Sequence, residues 1–140
     1  MTAYATQTDL EARYGTDRVL QRLDRDGDGV ADAGVLDKAI ASASATVDSY
    51  IGSRYATPLQ APLDPAITEA VATMAWYLLW GSDATDPMQK DYSRVLKFLR
   101  DVSDGRAKIA HAELSGSSAS ASPQIVAPTP IFSRETLKDF

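Results

Sequence analysis

The clearest inorganic chemistry in the sequence lies in LDRDGDGVADAG, residues 23–34. Asp24, Asp26, Asp28 and Gly29 reproduce the opening D-x-D-x-D-G of a calcium loop. Alternate carboxylates can converge on one hard cation, and Gly29 permits the sharp turn between them. The Val30 carbonyl would supply a further oxygen, and Asp32 occupies the ninth position, which often binds through water. The twelfth position should hold a bidentate Glu but is Val35, and Asp37 comes too late to replace it. The expectation is a weak Ca2+ site at Asp24, Asp26, Asp28, Val30 and Asp32. The competing reading is a solvated acidic turn whose aspartates cap the helix that follows.

Catalytic chemistry is hard to assemble from the rest. His111 is the only histidine, and a triad would need a nucleophile and an orienting carboxylate brought to it. It sits in KIAHAEL, beside a Ser-rich stretch that offers no pre-organised site, and reads as a surface residue. Glu69 is the carboxylate expected to be partly buried; pairing with Arg54 or Arg94 accounts for it. Gly27 and Gly29 lie among aspartates that would repel a phosphate. Trp76, Tyr77 and Trp80 have helical spacing and read as core. The chain is therefore not expected to be an enzyme or to require a cofactor, with Ca2+ the one candidate ligand.

The element that must organise these residues is PAITEAVATMAWYLLWG, about 65–81, which is apolar on nearly every face and so reads as a buried helix. Asp64 is the expected N-cap, Pro65 suits the first turn and Gly81 is the stop. The run is too short for a membrane span, which needs about 20 apolar residues, and it contains Glu69. Around it the pattern predicts short helices over 9–14 and 17–23, the first capped by Thr8 or Asp9 and the second by Thr16. A long helix over 35–55 carries an apolar stripe from Val35 to Ile51, with Ser44 off it. A last helix runs from Pro87 to Val102, Asp86 capping it and Gly105 closing it. TPLQAPLD, 57–64, is a proline-punctuated loop. The fold class is mainly α: a small helical bundle domain over 1–105, around the central helix.

Residues 106–140 form a linker and an extended C-terminal arm in this reading. Residues 106–114 are either a short strand or irregular, and SGSSASASP, 115–123, is a flexible low-complexity linker. The remainder, QIVAPTPIFSRETLKDF, carries Ile125, Val126, Ile131, Phe132, Leu137 and Phe140. An apolar tail of this kind suits an arm that orders on a partner, the alternative being a tail folded back on its own domain.

Composition limits the partners. The formal net charge of −5 over 140 residues, with Lys and Arg scattered, argues against a nucleic-acid binder. With no cysteine, disulfides, Cys-based zinc sites and a thiol nucleophile are excluded. The N-terminus lacks the charged-then-apolar layout of a signal peptide.

Together, YATQTDLEARYG, LDRDGDGVADAGVLDKAIASASATVDSYIGSRYATPL and IFSRETLKDF resemble the Mu-like phage gp36 family across nearly the whole chain. The resemblance implies a structural virion protein at the neck, a head–tail connector, or head-completion adaptor. Such proteins are helical bundles with an extended arm, assembled as a ring below the portal, here expected to be twelve-fold. The implied partners are the portal protein and a neck or tail-completion protein. DNA would pass through the lumen without specific binding, and no membrane is involved. The arm residues, Ile131, Phe132, Leu137 and Phe140 above all, would be the portal-facing anchors. A monomeric calcium-binding helical interaction module, working through Asp24 to Asp32, is the alternative from a different class.

Overall fold

The computed structural model describes residues 2–115. Five helices follow in order: α1 (Gln7–Tyr14), α2 (Thr16–Leu23), α3 (Val35–Ile51), α4 (Pro65–Trp80) and α5 (Asp86–Ser103), with a 3-10 turn at Gly81–Asp83. Among the described residues the only extended pairing is an isolated antiparallel bridge between Tyr55 and Leu114. The fold is mainly α, with α4 at its centre.

Helix α4 packs against all four other helices. Every side chain from Ala70 to Trp76 is buried, together with Ile67 and Leu79. This is what an all-round apolar run demands, since each exposed large side chain would forgo about 1.5–3 kcal/mol of burial. The caps are those its sequence specifies. Asp64 Oδ1 accepts from the Ala66 N–H at 2.8 Å, Pro65 fills the first turn, and Gly81 ends the helix. Arg22 of α2 closes the other end. Its guanidinium donates to the Leu79 and Trp80 carbonyls, both at 3.1 Å, and lies 4.3 Å over the Trp80 ring. A cation there satisfies carbonyls that α4 itself leaves open and complements the helix dipole. Of the large apolar side chains of α4, Leu78 alone is exposed.

Several boundaries differ from expectation, each for a local reason. Helix α1 begins at Gln7, not Asp9, because Thr6 is its N-cap. The Thr6 Oγ1 accepts from the Asp9 N–H, and Asp9 Oδ2 accepts in return from the Thr6 N–H at 2.7 Å, a capping box with Asp in the place of Glu. Gly15, not Thr16, occupies the cap position of α2, and Thr85, not Asp86, that of α5. Helix α3 stops at Ile51, short of the expected Tyr55. Gly52 caps it, and Tyr55 turns away into the bridge with Leu114.

Ser44 lies off the apolar stripe of the sequence, yet it is buried. Its Oγ accepts from the Tyr4 N–H at 3.3 Å, so the hydroxyl receives the N-terminal segment where that segment crosses α3. The Tyr4 side chain then makes the longest tie in this part of the fold. Its hydroxyl donates to Asp48 Oδ1 at 2.6 Å and accepts from the Leu59 N–H at 2.8 Å. Burial and the Asp48 carboxylate push the phenol up to about 12.

Residues 106–115 are irregular and packed. Ile109 is buried in the core, and its N–H donates to the Tyr55 hydroxyl at 3.2 Å. The Ala110 N–H donates to the second Asp64 oxygen at 2.6 Å, so one carboxylate both caps α4 and holds this segment. The backbone bonds Ala56 N–H to Glu113 O, 2.8 Å, and Ser115 N–H to Arg54 O, 2.7 Å, complete the attachment. Gly105 makes the turn into it: its φ is +79°, and a Cβ there would collide with the Arg54 guanidinium.

Candidate functional site

The acidic loop between α2 and α3 is wound around Asp24. Asp24 Oδ2 accepts from the Gly29 N–H at 2.8 Å, and Oδ1 accepts from the N–H groups of Gly27 at 2.7 Å and Asp28 at 3.2 Å. Gly29 makes this possible with φ +82°, a left-handed angle that side chains disfavour. The donated hydrogen bonds, Gly29's foremost, hold the Asp24 carboxyl below the usual carboxylate range.

Asp24, Asp26 and Asp28 each bring a carboxylate oxygen within 4.8 Å of the other two. That is the convergence a hard divalent cation uses. Asp32 is not part of the cluster, since its Oδ2 accepts from the Arg25 N–H at 3.0 Å. The Val30 side chain is exposed. The loop therefore assembles three of the four expected aspartates, and Val35 begins α3 where the twelfth ligand would stand.

The remaining polar candidates are dispersed. His111 is exposed, with φ +60°. Glu69 is not partly buried as expected and pairs with neither Arg54 nor Arg94. It lies on the outer face of α4, its side chain 60% exposed, and pairs with Arg13 of α1 at 2.6 Å. The apolar neighbours of Glu69 in sequence suggested burial, but the α1 side of α4 ends in solvent at this turn. Arg94 pairs with Asp91 along α5. Of the three aromatic residues read as core, Trp76 is buried and stacks on Tyr14, with ring centroids 4.5 Å apart and planes at 11°. Tyr77 stacks on Tyr92 at the edge, and Trp80 lies under Arg22.

The expected partner-binding residues, Ile125, Val126, Ile131, Phe132, Leu137 and Phe140, lie outside the described residues. What the structure adds is the anchorage from which that segment departs: Tyr55, Asp64 and Ile109. The sequence held one signal of it, the large apolar residues Ile109 and Leu114 in the short stretch after Gly105.

Among the described residues these features define a class: a small, mainly helical bundle with an acidic turn before its second-longest helix, α3, and residues 106–115 pinned beyond the other end of that helix. Among the described residues no helix is long and apolar enough to cross a membrane. The sequence pattern of the bacteriophage Mu gp36 family matches residues 4–127, and the chain belongs to that family. It is 30% identical over 135 residues to gene product J of Escherichia phage Mu, covering 94% of this chain and 95% of that protein. It is 35% identical over 107 residues to the Mu-like prophage FluMu protein gp36 of Haemophilus influenzae, covering 75% of this chain and 74% of that one. It is a phage protein.

Proposed function

We propose that this chain is a structural subunit of the virion, a head–tail connector that forms a ring, of twelve copies, below the portal and joins the capsid vertex to the neck or tail. The portal and a neck or tail-completion protein are its partners, and DNA passes through the lumen without specific binding. Membership of the Mu gp36 family carries this reading. The anchored exit at Ser115 supports it, because it gives the following segment a fixed point of departure from a rigid bundle. A connector works by contact alone, so no catalytic set is assigned to it. The arm residues Ile131, Phe132, Leu137 and Phe140 are the portal-facing anchors.

Native mass spectrometry of the purified chain with its portal ring tests the proposal, run beside a version ending at Gly116. The full chain binds stoichiometrically and the shortened one does not. Phe132→Ala or Phe140→Ala weakens binding about tenfold or more while the bundle stays folded, since buried aromatic anchors carry a disproportionate share of interface energy. Failure of the full chain to bind would remove the portal as partner, and binding unchanged in both variants would remove the arm as the docking element.

The convergence of Asp24, Asp26 and Asp28 favours a second reading, a calcium-binding helical interaction module. A cation there would tie the end of α2 to the start of α3. In millimolar calcium the melting temperature rises by about 3–8 °C over that in chelator, as expected for a weak site near saturation. Asp26→Asn with Asp28→Asn abolishes the difference. Identical melting with and without chelator would leave the loop as a turn and nothing more.

A further inference from the structure

Helices α1 and α5 both pack on α4 without packing closely on each other, and a furrow lies between them over the N-terminal half of α4. It holds a hollow of about 190 Å³. Ala66 and Ala70 give it a low floor, and Val95 and Phe98 form the α5 wall. Ala66 is exposed, and Val95 and Phe98 are only half-buried, so the furrow offers apolar surface beyond what the core has consumed. Its carboxylates are already engaged, Glu69 by Arg13 at 2.6 Å and Asp91 by Arg94 at 3.1 Å. Lys90 and Lys97 share the outward face of α5 with Arg94 at helical spacing. Both are exposed, and neither makes an ion pair among the described residues. This edge of the furrow is therefore basic, in a chain whose formal net charge is −5.

The acidic turn between α2 and α3 is its complement. Val30 is 64% exposed, the most open of the large apolar side chains described. Asp26 and Asp28 precede it, and neither is paired with a cation among the described residues. The hydrogen bonds that Asp24 accepts from the N–H groups of Gly27, Asp28 and Gly29 already hold the turn in shape. Docking it therefore orders little that is not ordered beforehand. The turn does not reach the furrow of its own chain. It leaves α2 beside the C-terminal end of α4, where Arg22 binds the Leu79 and Trp80 carbonyls, and the Asp32 N–H ties it back to the Leu23 carbonyl at 3.0 Å. Ala70, on the floor of the hollow, is roughly 14 Å back along α4 from Leu79 at the helical rise per residue.

We infer that the acidic turn of one copy seats in the α5 furrow of the next, with Val30 against Val95 and Phe98, and Asp26 and Asp28 against Arg94 and Lys97. Turn and furrow occupy different parts of the surface, so the contact is heterologous. Each copy offers one of each, and successive contacts close into a ring when the rotation between copies permits. The inference rests on the ring of the connector reading and supplies its copy-to-copy contact.

Two full-length variants test it. Asp28→Asn with Val30→Ser spoils the turn and keeps the furrow, the amide oxygen at position 28 still accepting from the N–H of residue 30. Arg94→Glu with Lys97→Glu spoils the furrow and keeps the turn, both side chains being exposed. Circular dichroism checks that each is folded, and native mass spectrometry counts copies in free solution and on the portal ring. The wild type self-associates, more weakly as salt is raised. Each variant alone associates at least about tenfold more weakly. An equimolar mixture of the two in free solution recovers association, but only as 1:1 pairs, because such a pair contains a single intact turn and furrow. Association unchanged in both variants would overturn the inference and leave the ring to another contact. Loss of portal binding by the furrow variant, with self-association intact, would overturn it too and give the furrow to the portal. A wild type that stays single both free and on the portal would remove the ring itself, and this contact with it.

Discussion

Trp76→Ala should lower the stability of the folded chain by about 3–5 kcal/mol, the usual range for removing a buried large aromatic side chain. Trp76 is 3% exposed in α4, so truncation forfeits nearly all of its buried area. The Tyr14 ring lies parallel to it at 4.5 Å and Trp80 meets it edge-on at 5.8 Å, so truncation removes two aromatic contacts as well as apolar area. Helix α1, short and with Leu10 as its single buried residue, loses much of what holds it to α4. Urea unfolding followed by circular dichroism would show a lower midpoint with an unchanged slope. Trp76→Phe, which keeps a ring for Tyr14 to stack on, should cost well under half as much. A loss of less than about 1 kcal/mol on going to alanine would mean that α1 is not held through this stack.

Tyr4→Phe should cost about 1–3 kcal/mol, although it removes a single oxygen. The reason is the position of that oxygen between two groups. The Leu59 N–H loses its acceptor in a buried setting, and the Asp48 carboxylate loses a donor at 2.6 Å. The pH dependence carries a separate signature. Folding raises the Tyr4 phenol from 10.0 to about 12, chiefly by burial and secondarily by Asp48, so the folded state holds its proton more tightly than the unfolded state. Below the unfolded value both states are protonated and the contribution is complete. As pH rises toward the folded value, the unfolded chain releases the proton first and stability falls. The wild type should therefore lose stability between about pH 10 and pH 12 more steeply than Tyr4→Phe. Parallel stability–pH curves for the two proteins in that window would show that folding does not raise the phenol.

The strengths and failures of sequence reasoning in this chain have separable causes. Helix α4 is legible at both ends because its signals are local and agree: Asp64, Pro65 and Gly81 bracket a run that is apolar on every face. The convergence of Asp24, Asp26 and Asp28 is legible for the same reason, since the glycines between them dictate the turn. The burial of Ser44 is not, because nothing near it in sequence announces that the Tyr4 backbone will lie across it. Glu69 illustrates the opposite error. Its apolar neighbours imply burial, but which flank of a central helix is left uncovered depends on how the other helices pack. The fate of residues 106–115 depends on Tyr55 and Asp64, more than forty residues away in the chain, and a low-complexity stretch next door draws attention from Ile109, the buried residue that pins them.

That pinning determines how the molecule bears tension. The chain after Ser115 follows α5 covalently, yet a pull on it does not first reach α5. It meets the paired backbone bonds to Arg54 and Ala56, then the seated Ile109, then the Asp64 carboxylate at the head of α4. The arrangement acts as strain relief on a cable. Helix α5 buries only Leu99 and Val102 completely and would be the easiest of the long helices to peel away, whereas α3 and α4 carry most of the interior. Load on the tail is thus delivered to the two helices best able to resist it, and α5 is left slack.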